Sequence, residues 1–90
     1  MEKETSQDTG RPYLEEGEIR TFVDTLTEED LVWHRDPEDR TVVPLNNNNW
    51  YYQLDNKLPA KLNKPIFIPK DTYHRIIVGE GELKVKVIKH

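Results

Sequence analysis

The chain has 90 residues, no cysteine, a net charge of −4, and nearly equal shares of hydrophobic (34%) and charged (33%) residues. This length limits it to one small domain, and the lack of cysteine excludes a disulfide-stabilised fold, a cysteine zinc site and a thiol nucleophile. No apolar run is longer than three residues, which argues against a transmembrane helix or a secretory signal peptide. We therefore expect a cytoplasmic protein with no membrane partner.

The charges are distributed unevenly along the chain. Residues 1–40 carry 13 acidic and 5 basic side chains, whereas residues 41–90 carry 4 acidic and 8 basic ones. Nucleic-acid binding depends on a high density of lysine and arginine, which the first half lacks. The lysines of the second half mostly alternate with apolar residues, a pattern typical of solvated strand faces. We therefore expect no nucleic-acid partner.

Residues 1–17 contain only three apolar side chains, Met1, Tyr13 and Leu14. So few apolar groups cannot offset the entropy of ordering the segment. The sequence predicts a disordered or loosely docked acidic tail over 1–17 and a single domain over 18–90. Within that domain, the four consecutive asparagines at 46–49 indicate a loop.

The patterns after residue 18 indicate short β-strands rather than helices, because apolar and polar residues alternate with a period of two. Gly79-Glu80-Gly81-Glu82 separates the last two strands and predicts a hairpin. The aromatic residues Trp33, Trp50, Tyr52 and Phe67 are expected in the core. The sequence thus predicts an all-β barrel or sandwich, with strands at residues 30–36, 41–43, 50–55, 66–68, 73–78 and 83–88.

Three residues form a candidate metal site. His34 and Asp36 are two positions apart, so on a strand their side chains point the same way. His74 follows a proline and a tight turn and opens a later strand, which would place its ring at a barrel mouth. Two histidines and one carboxylate suit Fe(II), Mn(II) or a related divalent ion. The alternative is a simple His–Asp hydrogen bond on a polar strand face.

The two segments around these histidines resemble the motifs of the cupin superfamily, specifically small single-domain cupins of bacteria and phages. The second cupin motif, Pro-x-Gly-x-x-His, corresponds to Pro69–His74, with Asp71 in the place of glycine. Aspartate tolerates the left-handed turn that glycine serves there. The first motif corresponds to the segment from His34, with Asp36 replacing its second histidine. Arg40 or Thr41 stands where the family has a glutamate ligand.

This resemblance implies a cupin-type double-stranded β-helix (jelly-roll) barrel, with a divalent Fe, Mn, Ni or Zn ion held by His34, Asp36 and His74. The family's fourth ligand is missing. Glu38 or Asp39 could replace it if the loop folds back, and Gln53 could hydrogen-bond the ligands instead. Four further residues are candidates for binding a small polar or anionic ligand at the mouth: Arg40, Tyr51, Tyr73 and Arg75.

The resemblance permits dioxygenase, isomerase, epimerase or lyase chemistry without choosing among them, and cupins without catalytic activity are known. One alternative is a non-catalytic, metal-free barrel that binds a protein or small ligand; if it is phage-encoded, it would act in the host cytoplasm. Another is a 2-oxoglutarate/Fe(II) oxygenase, whose His-x-Asp…His spacing this chain matches. The short chain and the absence of an arginine after Arg75 speak against it. Because a small barrel leaves open strand edges, we expect a homodimer.

Overall fold

The structure, a computed structural model, describes residues 12–90. This part of the chain contains eight strands in two antiparallel sheets, which confirms the all-β prediction. A five-stranded sheet has the order β1-β2-β8-β3-β6, and a three-stranded sheet has the order β5-β4-β7. None of the described residues forms a helix long and apolar enough to cross a membrane. The strands are β1 (Leu14–Glu16), β2 (Ile19–Phe22), β3 (Arg40–Pro44), β4 (Tyr51–Leu54), β5 (Ala60–Lys61), β6 (Ile66–Ile68), β7 (His74–Ile77) and β8 (Leu83–Lys89).

Strand β8 organises the larger sheet, where it pairs with β2 on one side and β3 on the other. Its residues alternate as the sequence predicts: Leu83, Val85 and Val87 are buried, whereas Lys84 and Lys86 are exposed. The inner face of this sheet therefore supplies most of the core. The other buried residues on it are Phe22, Val42, Ile66 and Ile68.

The smaller sheet covers this face with a few large side chains. Trp50, just before β4, is fully buried, and its indole N–H donates to the carbonyl of Gly81 at 3.1 Å. Leu62, just after β5, is also buried, and its backbone N–H donates to the carbonyl of Trp50 at 3.0 Å. Burial of apolar surface between the two sheets is the main stabilising term of such a sandwich.

The larger sheet begins before the predicted domain boundary at residue 18. Leu14–Glu16 pair with β2 across a turn in which Gly17 has a positive φ of 64°. The ring of Tyr13 packs against that of Phe22, with centroids 5.2 Å apart. The low apolar content of residues 1–17 does not predict this strand. An edge strand is held mainly by backbone hydrogen bonds, and the side chains of β1 are largely exposed. The rest of the predicted tail, residues 1–11, lies outside the described residues.

The predicted hairpin at residues 79–82 is wrong, because β7 and β8 belong to different sheets. The connection instead crosses between the sheets and is fixed to the asparagine loop. Asn49 Oδ1 accepts the backbone N–H of Glu80 at 2.7 Å, and Asn46 bonds the backbone on both sides of Leu83. Gly79 lies so close to this loop that a Cβ would come within 2.7 Å of the Asn49 carbonyl oxygen. The glycine serves close packing here rather than a hairpin turn.

The predicted strand at residues 30–36 is also wrong, since it contains only a single β-bridge, at His34. Two aromatic residues predicted in the core are substantially exposed, Trp33 at 41% and Phe67 at 55%. Strand β6 directs Ile66 and Ile68 inward, so the residue between them must point outward. The remaining two, Trp50 and Tyr52, do belong to the core or pack against it.

Candidate metal centre

The first histidine is positioned by β7 rather than by a strand of its own. His34 and His74 form an antiparallel bridge with two backbone hydrogen bonds, 3.0 and 2.8 Å long. Cross-strand cation–π contacts lie on both sides of this bridge: Arg75 stacks on Trp33 at 5.0 Å and Arg35 on Tyr73 at 5.3 Å. These contacts fix the irregular segment against the edge of the smaller sheet.

The carboxylate is positioned by the turn before β7. The Asp36 carbonyl accepts the backbone N–H of Asp71 at 2.7 Å. Asp71 has a φ of 61°, which confirms that it takes the left-handed conformation expected at this motif position. Arg40 holds the other end of Asp36, since its Nη1 lies 3.3 Å from Asp36 Oδ1. The side chain of Asp36 is thereby directed toward His74.

Both imidazoles use Nδ1 for a backbone hydrogen bond. Nδ1 of His34 lies 3.0 Å from the carbonyl oxygen of Val32, and Nδ1 of His74 lies 2.7 Å from that of Thr72. A carbonyl oxygen only accepts, so each Nδ1 must carry the proton. In the neutral rings each Nε2 is then unprotonated and carries a free lone pair. This tautomer is the one that metal-binding histidines adopt, with the outer nitrogen donating to a carbonyl.

One oxygen of Asp36 is buried and has no hydrogen-bond partner among the described residues. This atom, Oδ2, lies 3.3 Å from Nε2 of His74. Because Nδ1 of His74 holds the ring proton, two lone pairs face each other across this gap. Such an arrangement is unfavourable unless a cation lies between the two atoms or the ring gains a second proton.

The electrostatic surroundings of His74 disfavour the second proton. Burial is the largest influence and lowers the pKa of His74 below its ordinary value of 6.5, with further lowering by the nearby His34 and Arg40. The hydrogen bond to Thr72 and the charge of Asp36 raise the pKa but do not outweigh these influences. His74 is therefore neutral at pH 7, as a metal ligand must be.

The three side chains together could hold one shared ion. Their ligand atoms all lie within 4.8 Å of one another. Ligand atoms around one ion at about 2.1 Å are separated by up to about 4.2 Å, so small side-chain rotations would close the shell. His34 is exposed and His74 buried, which places the cluster at an opening rather than inside a closed core.

The cluster opens into a cavity of about 390 Å³ between the two sheets, a size typical of small-molecule sites. Most of its wall is apolar, formed by residues of both sheets such as Val42 and Val87 of the larger sheet and Ile76 of the smaller one. Four basic residues also line it: Arg20, Arg40, Arg75 and Lys89.

The other predicted site residues lie outside the three-residue cluster. Arg40 and Arg75 line the cavity, whereas Tyr51 and Tyr73 do not. Glu38 pairs with Arg40 at 2.5 Å, and Asp39 accepts the backbone N–H of Lys70 at 2.8 Å, so both carboxylates have partners outside the three-residue cluster. Gln53 bonds the guanidinium of Arg75 at 3.1 Å and not the three-residue cluster.

Sequence reasoning missed Arg20 and Lys89 as cavity residues. No sequence pattern singles out Arg20 as a cavity residue, because its position there depends on how β2 pairs with β8. Lys89 did give a signal, since it follows the same alternation as the buried Leu83, Val85 and Val87, although it is itself exposed. The ligand-orienting carbonyls of Val32 and Thr72 could not be predicted, because backbone groups leave no trace in the residue types.

No known family model and no curated protein matches this sequence. The fold is similar to that of the crystal structure of protein NMB1881 from Neisseria meningitidis, with a TM-score of 0.50 and 13% sequence identity. The similarity covers 86% of this chain and 78% of that one. At this identity the likeness shows a shared fold and nothing about activity.

Proposed function

We propose that this protein is a small cupin-type barrel that holds a divalent transition metal through His34, Asp36 and His74 and presents it to a small anionic ligand in the adjoining cavity. The observation that supports it most is the buried, unpartnered Oδ2 of Asp36 facing the lone pair of His74. A cation between these atoms would satisfy both at once.

The ligand set restricts the kind of ion. Two imidazole nitrogens and one carboxylate suit Fe, Mn, Ni or Zn better than the oxygen-preferring Ca²⁺ or Mg²⁺. Glu38 and Asp39 are engaged elsewhere, so further ligands would come from water or from the bound small molecule. When bound, such an ion supplies Lewis acidity toward an oxygen of that molecule.

Arg40 is a positioning residue in this proposal. It pairs with both Asp36 and Glu38, and all three side chains are mostly buried. Its pairing with Oδ1 of Asp36 leaves Oδ2 free for the metal. In the cupin pattern this region of the chain provides a carboxylate ligand, and here it provides the group that orients one.

The proposal is tested by the metal content of protein purified without an affinity tag. We expect close to one Fe, Mn, Ni or Zn ion per chain by elemental analysis, with an anomalous-scattering peak between the three side chains. A His74→Ala variant should bind the ion at least ~100-fold more weakly.

The matched control is His90→Ala, because the His90 ring lies at the surface and contacts Thr41 at 2.8 Å instead of the cluster. This variant should retain the metal. Protein that contains none of these ions and takes none up would contradict the proposal, as would equal loss of metal in both variants.

A further inference from the structure

One lysine of β8 lies on the opposite face of the strand from the other two. Lys84 and Lys86 point to solvent on the outer face. Lys89 lies on the other face, because it is an even number of residues from the buried Leu83, Val85 and Val87. Of these three lysines, Lys89 lines the cavity and the others do not. Lys89 ends the strand and is itself exposed, so its side chain borders the cavity without being buried in it.

The register places Lys89 beside a second cation. Lys89 lies directly opposite Arg40 in the pairing of β8 with β3, and like charges in such cross-strand pairs are unfavourable. Arg40 is neutralised by Asp36 and Glu38. Lys89 makes no ion pair or side-chain hydrogen bond with any residue in 12–90. An exposed lysine without a partner in this part of the chain therefore borders the cavity.

The wall beyond this group offers no polar partner. Ile68, which pairs with Arg40 from the other side, is buried and faces the cavity, as do Val42 and Val87 in the next row of the sheet. A purely polar anion would leave this surface without contacts. A molecule with an apolar body and one negative end fits both parts of the cavity.

We propose that Lys89 binds the carboxylate of an amphipathic monocarboxylate, whose apolar body lies on the wall formed by Val42, Ile68 and Val87. The proposal rests on the proposed function for the metal that would lie beside this carboxylate. It narrows the ligand from small anions in general to carboxylates with an aliphatic or aromatic body.

The test is calorimetric titration of the zinc-loaded full-length protein with hexanoate. Acetate, which lacks the apolar body, and hexan-1-ol, which lacks the charge, should each bind at least about tenfold more weakly. A Lys89→Gln variant should lose about tenfold in hexanoate affinity, because a charge-assisted hydrogen bond is removed. Lys89→Arg should remain within about threefold of the wild type, since it keeps the charge.

Lys84→Gln is the matched control, because it removes the same charge from the outer face of the same strand; it should leave affinity unchanged. The inference is overturned if hexanoate does not bind, if acetate binds equally well, or if Lys89→Gln behaves like Lys84→Gln. Titration of each protein with Zn²⁺ alone separates the two proposals. Normal zinc binding without hexanoate binding refutes the lysine role, whereas absent zinc binding refutes the metal centre.

Discussion

Two segments with similar alternation of apolar and polar residues fold differently in this protein. Residues 83–89 form the central strand β8, paired along both edges with β2 and β3. Residues 31–36 form no strand, and their backbone pairs with β7 at a single bridge, at His34. An alternating pattern makes a segment suitable for a sheet with one buried face. The segment becomes a strand only if a neighbouring strand also provides hydrogen-bond partners for its backbone.

The difference matters for function because the segment without regular structure carries two of the three candidate ligands. Backbone groups that are not engaged in a sheet are available to hold side chains, and Val32 accepts Nδ1 of His34 in this way. Strand β8, whose backbone is committed to the sheet, contributes packing and one cavity lysine. The rigid sheet thus supports a site built from less regular chain.

Leucine-to-alanine substitutions in the two segments should show the largest difference between them. Leu83 is completely buried and does not line the cavity, whereas Leu31 is buried but borders it. We expect Leu83→Ala to lower the free energy of unfolding by about 4 kcal/mol and Leu31→Ala by about 2 kcal/mol, because a side chain beside a cavity has fewer packing partners to lose. Urea denaturation measures both. Equal losses would show that the two segments pack equally well.

A smaller effect is expected from acidification of the metal-free protein. The pKa of His74 is lowered in the folded state by burial first and by His34 and Arg40 next, against an ordinary value of 6.5. Between the folded and the ordinary pKa the unfolded chain binds more protons, so stability is lost as the pH falls below about 6.5. Urea midpoints between pH 7.5 and 5 should show this loss in the wild type and in His90→Gln. His74→Gln should show less of it, and parallel profiles would contradict the assignment.

The smallest expected effect concerns the contact that holds the irregular segment. Trp33→Ala removes the stacking of Arg75 and should cost about 0.5–1 kcal/mol of global stability. Local opening should increase more, because the bridge between His34 and His74 loses one of its flanking contacts. Hydrogen exchange of the His34 amide should therefore accelerate, while the Val85 amide in β8 exchanges as before. Unchanged exchange at His34 would mean that the bridge alone fixes the segment.

The sequence predicts much of the candidate metal site, and it predicts the fold class but not the pairing of all strands. The spacing of His34 and Asp36 and the turn before His74 predicted the three-residue cluster, because side-chain chemistry and turn preferences are local. The roles of Glu38, Asp39 and Gln53 could not be predicted in the same way. Each depends on a partner brought close by folding, namely Arg40, the Lys70 amide and Arg75.

Residue types and their alternation alone predict that the domain is all-β, that β8 has one buried face, and that histidine and carboxylate are its candidate metal ligands in the absence of cysteine. These properties follow from residue type and a period of two. The tertiary structure decided that residues 31–36 form no strand and that β7 and β8 belong to different sheets. It also decided that Asp36 Oδ2 faces His74 without a partner among residues 12–90. These outcomes depend on which segments meet across the fold, and that is set by the packing of the whole chain.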